Sequence, residues 1–249
     1  SYRDDTELDT ATFLSKLRKA KELPKTAAPP HSLYTPIYEK ILNAGDSALV
    51  ITPSAEVSGT YRSAMIAAKE FDTDRIQIVD TRTIAGGLGS IVLQAQKWSN
   101  EGIGMEELVV KVQSMLKREY AFFIVPTLDY LLKGGRIGGA AKLVGTLLKI
   151  VPILTIDDGK VATFEKVRTL RQAKKRFINL IVEACKNNPD PHLSISHCDN
   201  IKGARELKSA VEKQLRIKDI PIYLVPPAIV VHAGPDLLSM SCFLTQEKH

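Results

Sequence analysis

The sequence predicts an α/β protein of two lobes, with a mostly parallel sheet in residues 1–149 and a smaller mixed sheet in residues 150–249. Over the first range, short β-rich runs alternate with longer amphipathic segments, a pattern typical of a parallel sheet covered by helices. In the second range, an Asp-Gly turn between two apolar runs indicates a hairpin. The chain has 249 residues, 44% of them hydrophobic, which is enough for one large domain or two modest ones.

Three apolar runs in the first lobe are predicted strands: Ala48–Thr52, Gln77–Asp80 and Phe122–Val125. Between them, apolar residues recur at spacings of three and four, the period of a helix with one buried face. The three helical patterns are Tyr61-Ala64-Met65-Ala68, Leu88-Val92-Ala95 and Leu108-Val112-Met115-Leu116.

The second lobe is predicted to begin with a hairpin. Its strands are Ile153–Ile156 and Val161–Val167, and its turn is Asp157–Lys160, where Asp-Gly accepts positive φ. The remaining elements are predicted as two helices, Leu170–Asn187 and Gly203–Leu215, followed by two strands, Ile220–Val225 and Ala228–Val231.

Composition narrows the functional classes only partly. The net charge of +6 permits an anionic partner and also suits an ordinary protein surface. The longest apolar runs fall far short of the roughly 18 residues of a transmembrane helix, and the start lacks a secretory signal, so a cytoplasmic location is expected. Three cysteines without C-x-x-C spacing argue against a disulfide framework or a zinc site. We expect reduced thiols, no metal and no cofactor.

Two short polar loops are candidate binding elements, because loops beside strand ends commonly build binding crevices. Thr26 lies in a loop with prolines on both sides, and its hydroxyl could contact a ligand or cap a turn. Ser58-Gly59-Thr60 precedes a predicted helix, whose free amides and dipole favour an anion. Ser58 could equally serve as an ordinary N-cap, and the two roles are compatible.

The third candidate is His232, at the end of the predicted strand Ala228–Val231 and before a tight turn. An imidazole there could donate to a carboxylate or carry a proton. A histidine at a strand end is also commonly just hydrogen-bonded to backbone, so this motif is weak in isolation.

Taken together, seven motifs in a fixed order resemble the DegV family of bacterial fatty-acid-binding proteins over nearly the whole chain. They are the threonine loop Pro24–Pro29, S-G-T-Y at Ser58–Tyr61, D-T-R-T-I-A-G-G-L-G at Asp80–Gly89, L-x-Y-L-x-K-G-G-R-I at Leu128–Ile137, P-I-L-T-I-D-D-G-K at Pro152–Lys160, E-K-V-R-T at Glu165–Thr169 and H-A-G-P at His232–Pro235. The resemblance implies two α/β lobes that hold a long-chain fatty acid between them. It also implies that the N-terminal lobe lacks its first strand here.

Residue by residue, the resemblance implies a fatty-acid carboxylate held by Thr26, Ser58 and His232, with the acyl chain in an apolar tunnel. Pocket support is expected from Gly59, Thr60, Thr83 and Gly87. The protein would be a carrier without catalytic residues. It would present the fatty acid to a separate fatty acid kinase, which makes the acyl phosphate used in phospholipid synthesis.

Lysines and arginines are concentrated between Lys160 and Arg176, which could contact nucleic-acid phosphates. No nucleic-acid-reading motif accompanies this stretch, so no nucleic-acid partner is predicted. A surface for an acidic protein partner is favoured, with Arg136 and Arg168 as docking residues, and peripheral contact with a membrane stays open.

The alternative function is a serine hydrolase acting on a lipid ester, with Ser58 as nucleophile and His232 as base. The sequence has neither a G-x-S-x-G elbow nor an identifiable orienting acid. Its glycine-rich segments match no phosphate-binding fingerprint, and His197-Cys198-Asp199 is better explained as the end of a strand.

Overall fold

The computed structural model describes residues 2–3, 7–145 and 150–247. The helices in these ranges are α1 (Thr10–Lys19), α2 (Thr35–Asn43), α3 (Thr60–Ala68), α4 (Ala85–Asn100), α5 (Met105–Leu116), α6 (Asp129–Lys133), α7 (Leu170–Cys185), α8 (Ile201–Leu215) and α9 (Pro227–Ala233). The strands are β1 (Ala48–Thr52), β2 (Ile76–Asp80), β3 (Glu119–Ile124), β4 (Val151–Asp157), β5 (Lys160–Val167), β6 (Ser194–His197), β7 (Ile222–Leu224) and β8 (Leu238–Phe243). Short 3-10 turns span His31–Leu33 and Gly138–Leu143.

The strands form one parallel and one mixed sheet, which confirms the predicted α/β class. Strands β1 and β2 pair in parallel. The other six follow the order β5-β4-β3-β8-β6-β7, with β6 and β7 parallel and the other neighbours antiparallel. The mixed sheet is therefore the larger one, the reverse of the predicted sizes.

Strand β3 accounts for this difference, because it pairs antiparallel with both β4 and β8 instead of joining β1 and β2. A continuous apolar run such as Phe122–Val125 predicts a buried strand but carries no information on its direction. The predicted lobe boundary falls beside residues 146–149, which lie outside the described ranges. Since β3 and β4 share a sheet across this point, the division at residue 150 stays a prediction.

The six-stranded sheet has apolar layers on both faces. Phe122 and Ile124 point to the side of α7 and α8, whereas Phe123 and Val125 point to the side of α1, α6 and α9. This alternation is the normal consequence of a strand's two-residue period. The second layer, called here the α9-side cluster, is the one that adjoins the candidate site. Its buried members are Phe13, Leu14, Leu17, Phe123, Val125, Leu128, Leu131, Ile137, Ala140, Leu143, Leu154, Ile156, Val161, Cys198, Val225, Val230, Val231, Ala233 and Leu237.

Two local predictions are wrong. The predicted strand Ala228–Val231 lies inside helix α9, because Pro227 at the first helical position is preorganised for a helix and outweighs the β-branched residues that follow. Helix α4 buries Gly86, Gly87, Ile91 and Ala95, whereas Val92, expected on its buried face, is exposed. The hairpin and the buried face of α5 (Leu108, Val112, Met115) are confirmed.

Cys185, Cys198 and Cys242, all within the described ranges, are buried and form no disulfide. Within the described ranges, every helix falls short of the length and hydrophobicity needed to cross a bilayer. The same ranges contain no group of three or more His, Cys, Asp or Glu side chains suited to hold a metal ion.

Candidate functional site

Thr26 and His232 meet, although 206 positions separate them along the chain. His232 lies in the last turn of α9, not at a strand end as predicted, and its Nε2 is 2.8 Å from the Thr26 Oγ1. Thr26 is carried by a segment without regular secondary structure, residues 20–30, called here the strap. The contact is partly buried, so it is positioned but still close to solvent.

The His232 ring is held in its neutral form. Burial lowers the pKa of His232 below the usual 6.5, and the nearby Arg136 charge lowers that pKa further, against a smaller opposing effect of the Gly134 backbone. Its Nδ1 is buried and has no hydrogen-bond partner among the described residues. A neutral imidazole has one donor and one acceptor nitrogen, so it can share a proton with Thr26 or donate to an oxygen anion.

Two glycines let the loops around His232 interlock. A Cβ on Gly134 would overlap with Nδ1 of His232 and lie 2.8 Å from the Tyr130 carbonyl oxygen. Reciprocally, Gly234 has a φ of +81°, and a Cβ there would lie 2.5 Å from Cδ2 of the Tyr130 ring. The segments Leu128–Ile137 and His232–Pro235 therefore fix each other. Both motifs are recognisable in the sequence, but the positioning roles of Tyr130 and Gly134 were not predicted. The glycines within the two motifs were the available signal for these roles.

Ser58 lies just before α3, whose N-cap is Gly59. Its Oγ is 2.9 Å from the Thr60 Oγ1 and accepts a hydrogen bond from the Thr60 N–H at 3.3 Å. The Ser58 N–H donates to the Ser54 carbonyl oxygen at 3.0 Å. Ser58 thus holds the first turn of the helix from outside the cap position, in a partly buried place where its hydroxyl can still exchange partners.

Arg136 connects the loop of residues 53–59, called here the serine loop, with the Gly134 segment beside His232. Its Nε donates to the Val57 carbonyl oxygen at 3.1 Å, and its Nη1 donates to the Gly134 carbonyl oxygen at 2.8 Å. On the other side, a Cβ on Gly59 would lie 3.3 Å from the Ala28 Cβ, so the strap also abuts the serine loop. The loops bearing Thr26, Ser58 and His232 are thereby brought together. The docking role of Arg136 stays a prediction, with its guanidinium bound within this site.

Thr83 and Gly87 lie behind the site, at a buried carboxylate. The Thr83 Oγ1 donates to Glu119 Oε1 at 2.9 Å, and a Cβ on Gly87 would overlap with the same oxygen. The link to Ser58 is through backbone, because the Thr83 carbonyl oxygen accepts the Ser54 N–H at 2.9 Å. The support predicted for these two residues is therefore indirect in geometry, and their role stays a prediction.

The β4–β5 hairpin turn docks against the loop that follows β1. The Ser54 Oγ donates to the Gly159 carbonyl oxygen at 2.8 Å in a buried position. Exposed ion pairs flank this bond: Arg82 with Asp158 at 2.8 Å and Lys160 with Glu56 at 3.2 Å. The turn thus ties the six-stranded sheet to the segment that leads into Ser58.

Arg168 lies apart from these loops, exposed beside an open groove of about 480 Å³ between β5 and α7. Within the basic stretch, Arg176 pairs with Glu165 at 2.7 Å and Lys174 pairs with Glu206 at 3.0 Å. Part of the stretch is therefore neutralised by neighbouring acids. The docking role of Arg168 stays a prediction.

The hydrolase arrangement does not form in this structure. Ser58 pairs with Thr60, and His232 pairs with Thr26. A catalytic histidine also needs an orienting acid on its second nitrogen, and Nδ1 of His232 has no hydrogen-bond partner in the described part of the chain.

Comparisons with known proteins agree over almost the full length. A family model described as "Uncharacterised protein, DegV family" matches residues 1–245. A DegV domain-containing protein of Clostridium acetobutylicum is 30% identical over 243 residues, covering 96% of this chain and 85% of the relative. A solved structure described as showing fatty acid binding of a DegV family protein from Thermus thermophilus has a TM-score of 0.91 at 26% identity, covering 98% of this chain and 87% of that one. The structure of DegV, a fatty acid binding protein from Bacillus subtilis, has a TM-score of 0.87 at 28% identity, covering 97% and 86%.

Proposed function

This chain belongs to the DegV family, and we propose that it binds a long-chain fatty acid between its lobes without changing it chemically. The observation that carries the proposal is the contact of Thr26 with His232 beside the α9-side cluster, with the loop that bears Ser58 packed next to both through Arg136 and Ala28. The fatty acid binding described for the Thermus thermophilus and Bacillus subtilis relatives supports it.

The head-group site combines neutral donors with one nearby cation. Two hydroxyls, on Thr26 and Ser58, and one imidazole N–H can donate to carboxylate oxygens. Arg136 adds positive potential, while its Nε and Nη1 donate to backbone carbonyls. The Thr26–His232 and Ser58–Thr60 bonds keep the donors oriented before the ligand arrives, which reduces the entropy lost on binding.

Most of the affinity should come from the acyl chain. Each methylene removed from water contributes about 0.8 kcal/mol, so a long chain outweighs a few hydrogen bonds at its head. Apolar residues adjoin His232 and Arg136 along the chain: Val230, Val231 and Ala233 flank His232, and Ile137 follows Arg136. We expect the tail to lie along this cluster and the carboxylate near the partly buried Thr26–His232 contact.

A carboxylate at that depth stays within reach of a second protein. The proposed role is that of a cytoplasmic carrier that presents the fatty acid to a separate fatty acid kinase, for phospholipid synthesis. The exposed Arg168 would take part in docking, and peripheral contact with a membrane would allow the fatty acid to be exchanged. A carrier needs no nucleophile, which agrees with the separate pairing of Ser58 and His232.

The test is native mass spectrometry of the purified protein, followed by denaturation, extraction and identification of any lipid released. We expect one long-chain fatty acid per chain. Ser58→Ala and His232→Ala should retain less of it, whereas Ser47→Ala and His31→Ala, which change exposed residues of the same types, should retain it fully. An empty protein that takes up no added fatty acid, or multiple turnovers of a lipid ester, would reject the proposal.

A further inference from the structure

The strap, residues 20–30, carries the Thr26 hydroxyl that is proposed to bind the fatty acid. It connects α1 with the 3-10 turn at His31–Leu33, and it has no regular secondary structure of its own. Pro24, Pro29 and Pro30 each fix their own φ angle and lack a backbone donor. These three prolines restrict the conformations of residues 24–30, which favours movement of this stretch as one piece.

Three strap residues contact neighbouring elements in the described part of the chain. Leu23 packs on the α9-side cluster, Thr26 bonds to His232, and Ala28 abuts Gly59. These three strap residues are partly buried, and the other strap residues are exposed. Among the described residues, the Thr26–His232 bond is the one hydrogen bond that joins residues 21–29 to the rest of the protein.

The elements around the strap are held much more firmly. Helix α1, immediately before it, buries Phe13, Leu14 and Leu17 against the α9-side cluster. Segments with few buried contacts and few hydrogen bonds open at far lower free energy than the core does. The strap can therefore lift while α1 and α9 stay in place.

There is open space where the strap begins. A cavity of about 500 Å³ lies between residues 17–23 and α6. Its wall includes Tyr130, whose ring packs on Gly234, two residues after His232. It also includes Leu23, one of the three attachment points of the strap. The cavity thus shares two wall residues, Leu23 and Tyr130, with the packing around the Thr26–His232 contact.

We propose that the strap is a lid, and that a fatty acid enters and leaves beneath it. The inference rests on the proposed function. Lifting the strap withdraws Thr26 from His232 and separates Ala28 from Gly59, which opens the head-group site. Closing it restores a donor to the site and shields the carboxylate from water. Lids of this kind commonly set the rates of ligand exchange.

The structure offers a reversible lock for this lid. A Cβ on Gly59 would lie 3.3 Å from the Ala28 Cβ, and disulfides need a separation of about 3.5–4.5 Å, so a shift of a few tenths of an ångström suffices. Gly59 has a φ of −77°, which a cysteine can adopt without strain. The double variant Ala28→Cys/Gly59→Cys should form a disulfide that holds the strap closed. The native thiols at Cys185, Cys198 and Cys242 are buried.

Exchange is measured by loading a fluorescent polyene fatty acid and following its transfer to excess serum albumin. The same double variant is compared oxidised and reduced, so that the effect of the substitutions themselves cancels. We expect release at least about tenfold slower in the oxidised form, because lid opening becomes limiting. Wild type and each single-cysteine variant, compared with itself before and after the same oxidant, should show no effect of the oxidant on release, and mass spectrometry under non-reducing conditions verifies the bond.

Equal release rates in the oxidised and reduced forms would overturn the lid and leave the proposed function intact. Failure of the two cysteines to bridge would also overturn it, because the strap would then not close on the serine loop. A wild-type protein that takes up no fatty acid would instead reject the proposed function, and the lid with it. The wild-type loading step therefore distinguishes the two failures.

Discussion

Gly134 should be required for the position of the His232 ring, and Gly134→Ala tests this directly. Its φ of −77° suits alanine, so the effect of the substitution is steric and not conformational. The new methyl group would lie 2.8 Å from the Tyr130 carbonyl oxygen and would overlap with His232 Nδ1. Since carbon contacts settle at about 3.5 Å or more, the overlapping His232 ring must retreat by on the order of 1 Å.

A shift of that size is incompatible with the 2.8 Å Thr26–His232 contact, because hydrogen bonds tolerate changes of only a few tenths of an ångström. Overpacking of this kind lowers the free energy of unfolding by about 1–3 kcal/mol. Loss of one head-group donor weakens binding by about 0.5–1.5 kcal/mol, or roughly 2- to 10-fold in Kd. Urea denaturation and titration with a fatty acid measure the two effects separately.

Gly89→Ala is the matched control, because it makes the same chemical change in helix α4, where a Cβ meets nothing within 4 Å. It should leave binding unchanged and stabilise the protein by up to about 1 kcal/mol. In a His232→Ala background, Gly134→Ala should lose at least about 1 kcal/mol of its effect, because the clashing ring is gone. If Gly134→Ala unfolds and binds as the wild type does, or shows no such coupling, the steric argument is wrong.

Two further predictions concern protonation and the buried layer behind the site. The lowered pKa of His232 means that the unfolded chain takes up this proton at a higher pH than the folded protein does, so stability should fall as the pH drops below about 6.5 until it passes that lowered pKa. The urea midpoints at about pH 7.5 and about pH 5 should therefore differ less in His232→Gln than in wild type. His192 and His197, whose pKa values are also lowered, contribute equally to the pH dependence of both proteins. An equal difference in the two proteins would refute the assignment to His232. Thr83→Val removes the 2.9 Å hydrogen bond to Glu119. It should lower the free energy of unfolding by about 1–3 kcal/mol and change the fatty-acid affinity much less. A comparable loss of affinity would show that Thr83 contacts the ligand.

Local patterns in the sequence predict most helices and strands correctly. They fail where the direction or buried face of an element depends on the elements that pack against it. The Asp-Gly turn at Asp158-Gly159 has both residues at positive φ, as the hairpin prediction required. The direction of β3 was not readable, because a run buried on both faces looks the same whether its neighbours are parallel or antiparallel. In α4, the buried face is set by Gly86 and Gly87, which a search for large apolar residues overlooks.

The candidate site shows the same limit in a sharper form. Thr26 and Ser58 could be singled out as hydroxyls on loops and His232 as a histidine at a predicted strand end, but the contact of Thr26 with His232 and the approach of the Ser58 loop depend on long-range packing that no local pattern encodes. That packing depends on the absence of a side chain at Gly134, which leaves the space that the His232 ring fills. A glycine in a turn-like motif predicts a turn, and its second role becomes visible only when the neighbouring ring is in place. The residues that position a binding site are therefore harder to predict than those that bind, because a positioning glycine contributes no chemistry of its own.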